Sequence, residues 1–176
     1  HQRSARVHPD RVHEADEAGR RQASDAYSAL NAAHQCLREP KDRLHHLVQL
    51  ERGRKPGDMQ SIPDDLMLLF REVGMLLRQT ETVLAQRQQA SSALLKVQAM
   101  QQALPQLEQL DALQARLQER RTGLLEELRV LDNAWGTGDS TTRDRLLDQA
   151  ENLYHQFGFL DRWTAQMRER MIQLTL

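Results

Sequence analysis

The residues best suited to chemistry lie almost at the start of the chain, in Arg6-Val7-His8-Pro9-Asp10-Arg11. Pro9 fixes its own φ and pushes His8 out of the helical region, so the tripeptide must be a bend between two segments. An aspartate in such a bend is exposed and can accept a bidentate, charge-assisted bond from a partner arginine. Arg3, Arg6 and Arg11 flank it and offer donors to an acidic surface. On structural grounds alone, Pro9 would end one helix and Asp10 would cap the next.

Other reactive side chains carry less. His8, His13, His34, His45, His46 and Cys36 follow no standard metal-ligand spacing, and neighbours on a helix such as His45 and His46 point in different directions. Cys36 is the only cysteine, which excludes an internal disulfide and a CxxC site. No metal and no cofactor are expected, and no enzymatic activity.

The elements that must position the loop are helices. The 176 residues are enough for one or two domains, and with 4% aromatics and abundant Gln, Leu, Arg and Glu they suit an all-α protein with leucine seams. The net charge of −1 gives no case for nucleic-acid binding, and no apolar run approaches membrane-spanning length. Residues 1–55 carry 11 basic and 8 acidic side chains and the remainder 13 and 17, a mildly basic head on an acidic body. The chain opens inside what reads as the end of a helix, so further residues are expected upstream. A cytoplasmic location is the expectation.

In the head, taken as residues 1–52, a helix is expected over Glu14–Leu37, with Tyr27, Leu30, Ala33 or His34 and Leu37 in one apolar stripe. Pro40 suits the first turn of a second helix, with Leu44, Leu47, Val48 and Leu50 on one face and an end near Gly53. Residues 53–63 hold two Gly and two Pro and read as a linker. Residues 64–176 form the body. Ser61 and Asp64 resemble a capping box opening a helix at about Pro63. Its apolar positions are Leu66, Leu69, Phe70, Val73, Leu76, Leu77, Val83 and Leu84, continuing at Leu94, Leu95, Val97 and Met100, with a polar stretch between them around Gln86 to Ser92. The turnaround is expected near Gln101–Pro105. A second helix follows to Trp135, with Leu110, Leu117, Leu124 and Leu131 at strict sevens. A third runs to the end, with Leu146, Ala150, Leu153, Phe157, Leu160, Trp163 or Thr164, Met167, Met171 and Leu174 as its seam. The expected fold is all-α: a helical hairpin linked to an elongated antiparallel three-helix bundle. Eleven glutamines between Gln79 and Gln118 read as a solvated surface, with an oligomer seam or a client surface as the alternative.

His8-Pro9-Asp10 between basic residues resembles the signature loop of J domains, which stimulate ATP hydrolysis by chaperones of the DnaK/HscA class. The run from Leu30 to Pro40, with Asn31, Ala33 and Leu37, followed by Arg43 and Leu47-Val48-Gln49-Leu50, is similar to the HscB type of J protein. His34 stands where that family usually has Tyr or Trp, and Val12 where it often has Phe. The resemblance implies that residues 1–52 are a J domain incomplete at its N-terminus. It also implies that His8, Pro9, Asp10, Arg3, Arg6 and Arg11 meet the ATPase chaperone, and that the body binds an IscU-type iron–sulfur scaffold. Asp65-Leu66-Met67 and Phe70 resemble one part of the family's scaffold-binding face, and Phe159-Leu160-Asp161-Arg162 resembles the other. Leu66, Met67, Phe70 and Phe159 are therefore the candidate scaffold contacts; ordinary core packing is the competing reading of the first three. The family's acidic contact positions fall at Arg71, Gly74 and Arg78 here, and the segment between Met67 and Phe159 is longer than usual, so the helical hairpin must extend. The implied function is a co-chaperone that delivers the scaffold to the ATPase chaperone. A J protein with another client and a structural coiled-coil adaptor are the alternatives.

Overall fold

The computed structural model describes residues 17–59, 62–136 and 140–175. The described residues form five helices and no strand: α1 Glu17–Arg38, α2 Pro40–Arg52, α3 Asp64–Gln89, α4 Ala93–Trp135 and α5 Ser140–Thr175. The chain divides into two compact units, residues 1–55 and 56–176.

In the first unit, α1 packs against α2. Pro40 occupies the first turn of α2, where its missing N–H goes unneeded. Gly53 ends the helix in the left-handed conformation, φ 65°, with its N–H bonded to the Gln49 carbonyl. Leu44 and Val48 are buried as expected, but Leu50 and Leu37 are exposed, and α1 buries no residue completely. Period alone places Leu37 and Leu50 on their helices' apolar stripes. In a pair of helices only the side chains closest to the shared seam are covered, and these two lie outside it.

In the second unit, α3 and α5 run parallel and α4 runs antiparallel to both. Arg87 near the end of α3 reaches the Leu174 carbonyl near the end of α5, at 2.8 Å. The first turn of α3 meets the middle of α4, and the end of α4 meets the start of α5, where Arg143 stacks 5.1 Å over the Trp135 ring. The core is the seam read from the spacing. Leu110, Leu117, Leu124 and Leu131 are all buried, as are Leu66, Leu69, Val73, Leu76 and Val83, and the α5 row from Leu146 to Met167 with Leu174. Met171 is half-buried. Thr80, inside the α3 seam, satisfies its hydroxyl on the Leu76 carbonyl at 2.8 Å.

Several expectations are corrected. The turnaround lies at residues 90–92, not at Gln101–Pro105, and α4 continues through Pro105. Past Gln89 the run to Ser92 offers no apolar residue larger than Ala90 to hold the helix on the core. Ser92 caps the next helix, its Oγ accepting from the Leu95 N–H at 3.3 Å. Pro105 is tolerated because it is exposed, and the carbonyl it frees belongs to exposed Gln101. The buried row Ala99, Ala103, Leu110 runs straight past it. Leu94, Leu95, Val97 and Met100 therefore do not continue the α3 seam, and all four are exposed. At the start of α3, Pro63 stands at the N-cap with no side-chain cap; Ser61 lies outside the described residues. The expected linker is partly docked: the Gly57 N–H bonds the Glu151 carboxylate on α5.

Candidate functional site

The six residues of the expected chaperone-binding loop, Arg3, Arg6, His8, Pro9, Asp10 and Arg11, lie outside the described residues. The four expected scaffold contacts can be placed.

They sit where α3 begins. Asp64 and Asp65 in its first turn complement the positive end of the helix dipole. The register against the other two helices is held by Arg120 of α4. Its guanidinium bonds Asp65 of α3 at 2.5 Å, Gln156 of α5 at 2.7 Å and Glu127 of its own helix at 2.8 Å. Burial works to lower the Arg120 pKa, but hydrogen bonding and charge attraction from Glu127, and then from Asp65, outweigh it and hold the group above its ordinary value. The next residue, Arg121, bonds Asp161 of α5 at 2.5 Å and stacks 5.3 Å over Phe157. Adjacent arginines thus tie the start of α3 and the middle of α5 to one turn of α4.

That register brings Phe70 and Phe159 together. Their rings lie 6.1 and 5.6 Å from the ring of Trp163, which fills the space between them from α5. These spacings suit tilted aromatic packing. Arg162 covers the outer side, its guanidinium 5.5 Å over the Phe159 ring. Phe70 is 43% exposed and Met67 39%, and Phe159 is half-buried. The meeting of α3's first turns with the midpoint of α5 requires α4 and α5 to extend past the start of α3, and they do so for their last and first turns.

Leu66 is a correction. It is 0% exposed and belongs to the core, so it offers no surface to a partner. Leu66 and Met67 are neighbours in sequence, but a helix turns about 100° per residue, so one faces Leu69 and Val73 while the other faces solvent. The spacing of Trp163 reads as plain seam, and only the fold makes it the hub of the cluster. Arg120 and Arg121 carried a usable signal: two adjacent cations inside a leucine heptad must each find an acid nearby.

The arrangement is suited to binding. An apolar ledge of Met67, Phe70 and Phe159 on a buried tryptophan, with an arginine at its edge, has hot-spot composition. Among the described residues no three His, Cys, Asp or Glu side chains come close enough to hold a metal ion. Among the described residues no helix is long and apolar enough to cross a membrane. Cys36 is a half-buried free thiol whose Sγ donates to the Asp42 carbonyl at 3.6 Å. Compared with protein families, with curated proteins and with solved structures, the chain matches none.

Proposed function

We propose that this chain is a J-protein co-chaperone of the HscB type. It would hold an iron–sulfur scaffold on the bundle and present it to a DnaK/HscA-class ATPase chaperone through His8, Pro9 and Asp10. One observation carries the reading. The Met67–Phe70 and Phe159–Arg162 segments, about ninety residues apart and each resembling part of one family surface, lie side by side around Trp163. The role of the loop rests on the sequence resemblance. Met67, Phe70 and Phe159 would be the scaffold contacts, with Leu66 beneath them.

The test has two arms. In a chain with the preceding J-domain helices supplied, His8→Gln or Asp10→Asn should abolish stimulation of the chaperone's single-turnover ATP hydrolysis without changing helical content. Full stimulation by either variant refutes the J-protein reading. Stimulation should also weaken with added salt, because exposed charges such as Arg3, Arg6 and Arg11 are screened over about 8–10 Å near physiological ionic strength. In the second arm, calorimetric titration of an IscU-type scaffold should show binding that Phe159→Ala weakens. A second reading, a J protein with a different client, is favoured by one feature: Arg71, Gly74 and Arg78 stand where the family has acids.

A further inference from the structure

The outward face of α3 bears an unusual combination of side chains. Over its first three turns Met67, Leu68, Phe70 and Met75 are all exposed, Leu68 the most at 61%. Leu68, Arg71, Met75 and Arg78 follow one another at spacings of three, four and three, which sets them in one row along the helix. Gly74 lies between Arg71 and Arg78, where an added Cβ would meet only the end of the Arg78 side chain, at 3.6 Å. Gly74 leaves the flank of the row between Arg71 and Arg78 low, on the side toward Phe70. On one side of the row Met75 borders Gln109 and Arg116 of α4; on the other, Met67 and Phe70 border Phe159 and Arg162 of α5 around Trp163.

The charge balance of this face follows from its ion pairs. The acids that border it are engaged from α4: Asp65 by Arg120, Glu72 by Arg116 and Asp161 by Arg121. Arg71, Arg78 and Arg162 have no ion-pair partner among the described residues. Two further acids, Asp64 and Glu81, stand at its two ends. Between those ends the face is apolar and carries three cations that no acid of the bundle neutralises. A basic partner would meet like charge, and an uncharged one would strand the guanidinium groups at a dry interface.

We infer that the outward face of α3, from Met67 to Arg78 with Phe159 and Arg162, docks an acidic amphipathic helix of a partner protein. The partner lays a Leu- or Phe-bearing stripe on Met67, Phe70 and Phe159, and its flanking carboxylates meet Arg71, Arg78 and Arg162. The face includes Met67, Phe70 and Phe159, so the inference rests in part on the client-binding reading above and assigns the charge of that client.

The test uses the full chain with Trp135→Phe, which leaves Trp163, under Phe70 and Phe159, as its one tryptophan. The probe is a helical peptide of about twenty residues with Leu on one face and Glu on the other, compared with its Lys counterpart. The Glu peptide should change Trp163 emission saturably and the Lys peptide should not. Arg71→Glu with Arg78→Glu should weaken the Glu peptide about tenfold or more while leaving the thermal melt unchanged, since both side chains are exposed. Equal binding of the two peptides, no binding of either, or no loss in the double variant overturns the inference. So does a response to vesicles of phosphatidylserine with none to the peptide, which would make the face a membrane contact. Scaffold binding measured on the same proteins keeps the two readings apart. Scaffold bound without any Glu-peptide binding refutes the acidic partner and spares the co-chaperone reading; Glu-peptide binding with no scaffold affinity does the opposite.

Discussion

Replacing Arg120 by methionine tests whether one side chain sets the register that creates the aromatic cluster. Arg120 is the point at which α3, α4 and α5 are joined, and its side chain is 23% exposed. Methionine keeps most of the apolar stem and removes the guanidinium. Asp65 and Glu127 are about half exposed, so both regain water, and each lost pair costs roughly 0.2–1 kcal/mol. Gln156 is different. It is 4% exposed, and its remaining side-chain bond is a long one, 3.5 Å, from Nε2 to Asn152. Its Oε1 would be left buried without a donor, which costs about 1–3 kcal/mol. The expected loss is therefore about 1.5–5 kcal/mol in urea unfolding followed by circular dichroism. Trp163 fluorescence should change as well, because the start of α3 loses its tie beneath Phe70. Adding Gln156→Leu to Arg120→Met should restore much of the stability, since removing both partners of a buried hydrogen bond is nearly neutral. A loss below about 0.5 kcal/mol, or a double variant no better than the single one, refutes the argument.

Three further outcomes are expected. Leu66→Ala should cost about 2–5 kcal/mol of unfolding free energy, whereas Phe159→Ala, which loses a half-buried ring contact, should cost about 1 kcal/mol and weaken scaffold binding by about 1–3 kcal/mol; calorimetry and denaturant melts on the pair separate the two roles. Pro105→Ala should stabilise the chain by about 1–2 kcal/mol in the same melts, because it restores a helical bond inside α4, and a neutral or destabilising result would return the turnaround to that position. Gly53→Ala should destabilise the first unit by about 1–2 kcal/mol through its positive φ alone, since nothing lies within 4 Å of the added Cβ; an unchanged melt would mean that the end of α2 adjusts freely.

Much of this architecture was written in the order of the residues. Leucines at strict sevens on α4 and the seam from Leu146 to Leu174 on α5 needed no other information, because a helix's period decides which side chains share a face. The ends of α2 were equally local: Pro40 and Gly53 act through backbone geometry that each carries with it. Other features depended on neighbours. Pro105 reads as a helix breaker in isolation, and only the packing of Ala99, Ala103 and Leu110 makes a continuous helix more stable than a turn there. Leu66 and Phe70 belong to one apolar pattern, yet one is core and the other half exposed, because burial depends on how much of the stripe the other two helices cover. The Phe70–Trp163–Phe159 cluster is the clearest case. Its members come from opposite ends of the bundle's sequence, and no local rule relates them. The resemblance named the two segments, but their meeting depends on how far α4 and α5 slide past α3. That offset is set by Arg120 and Arg121 reaching across to Asp65, Gln156 and Asp161. Periodicity specifies each helix's face; the offset between helices is a property of the pairs of side chains that meet, and those pairs exist only in the folded bundle.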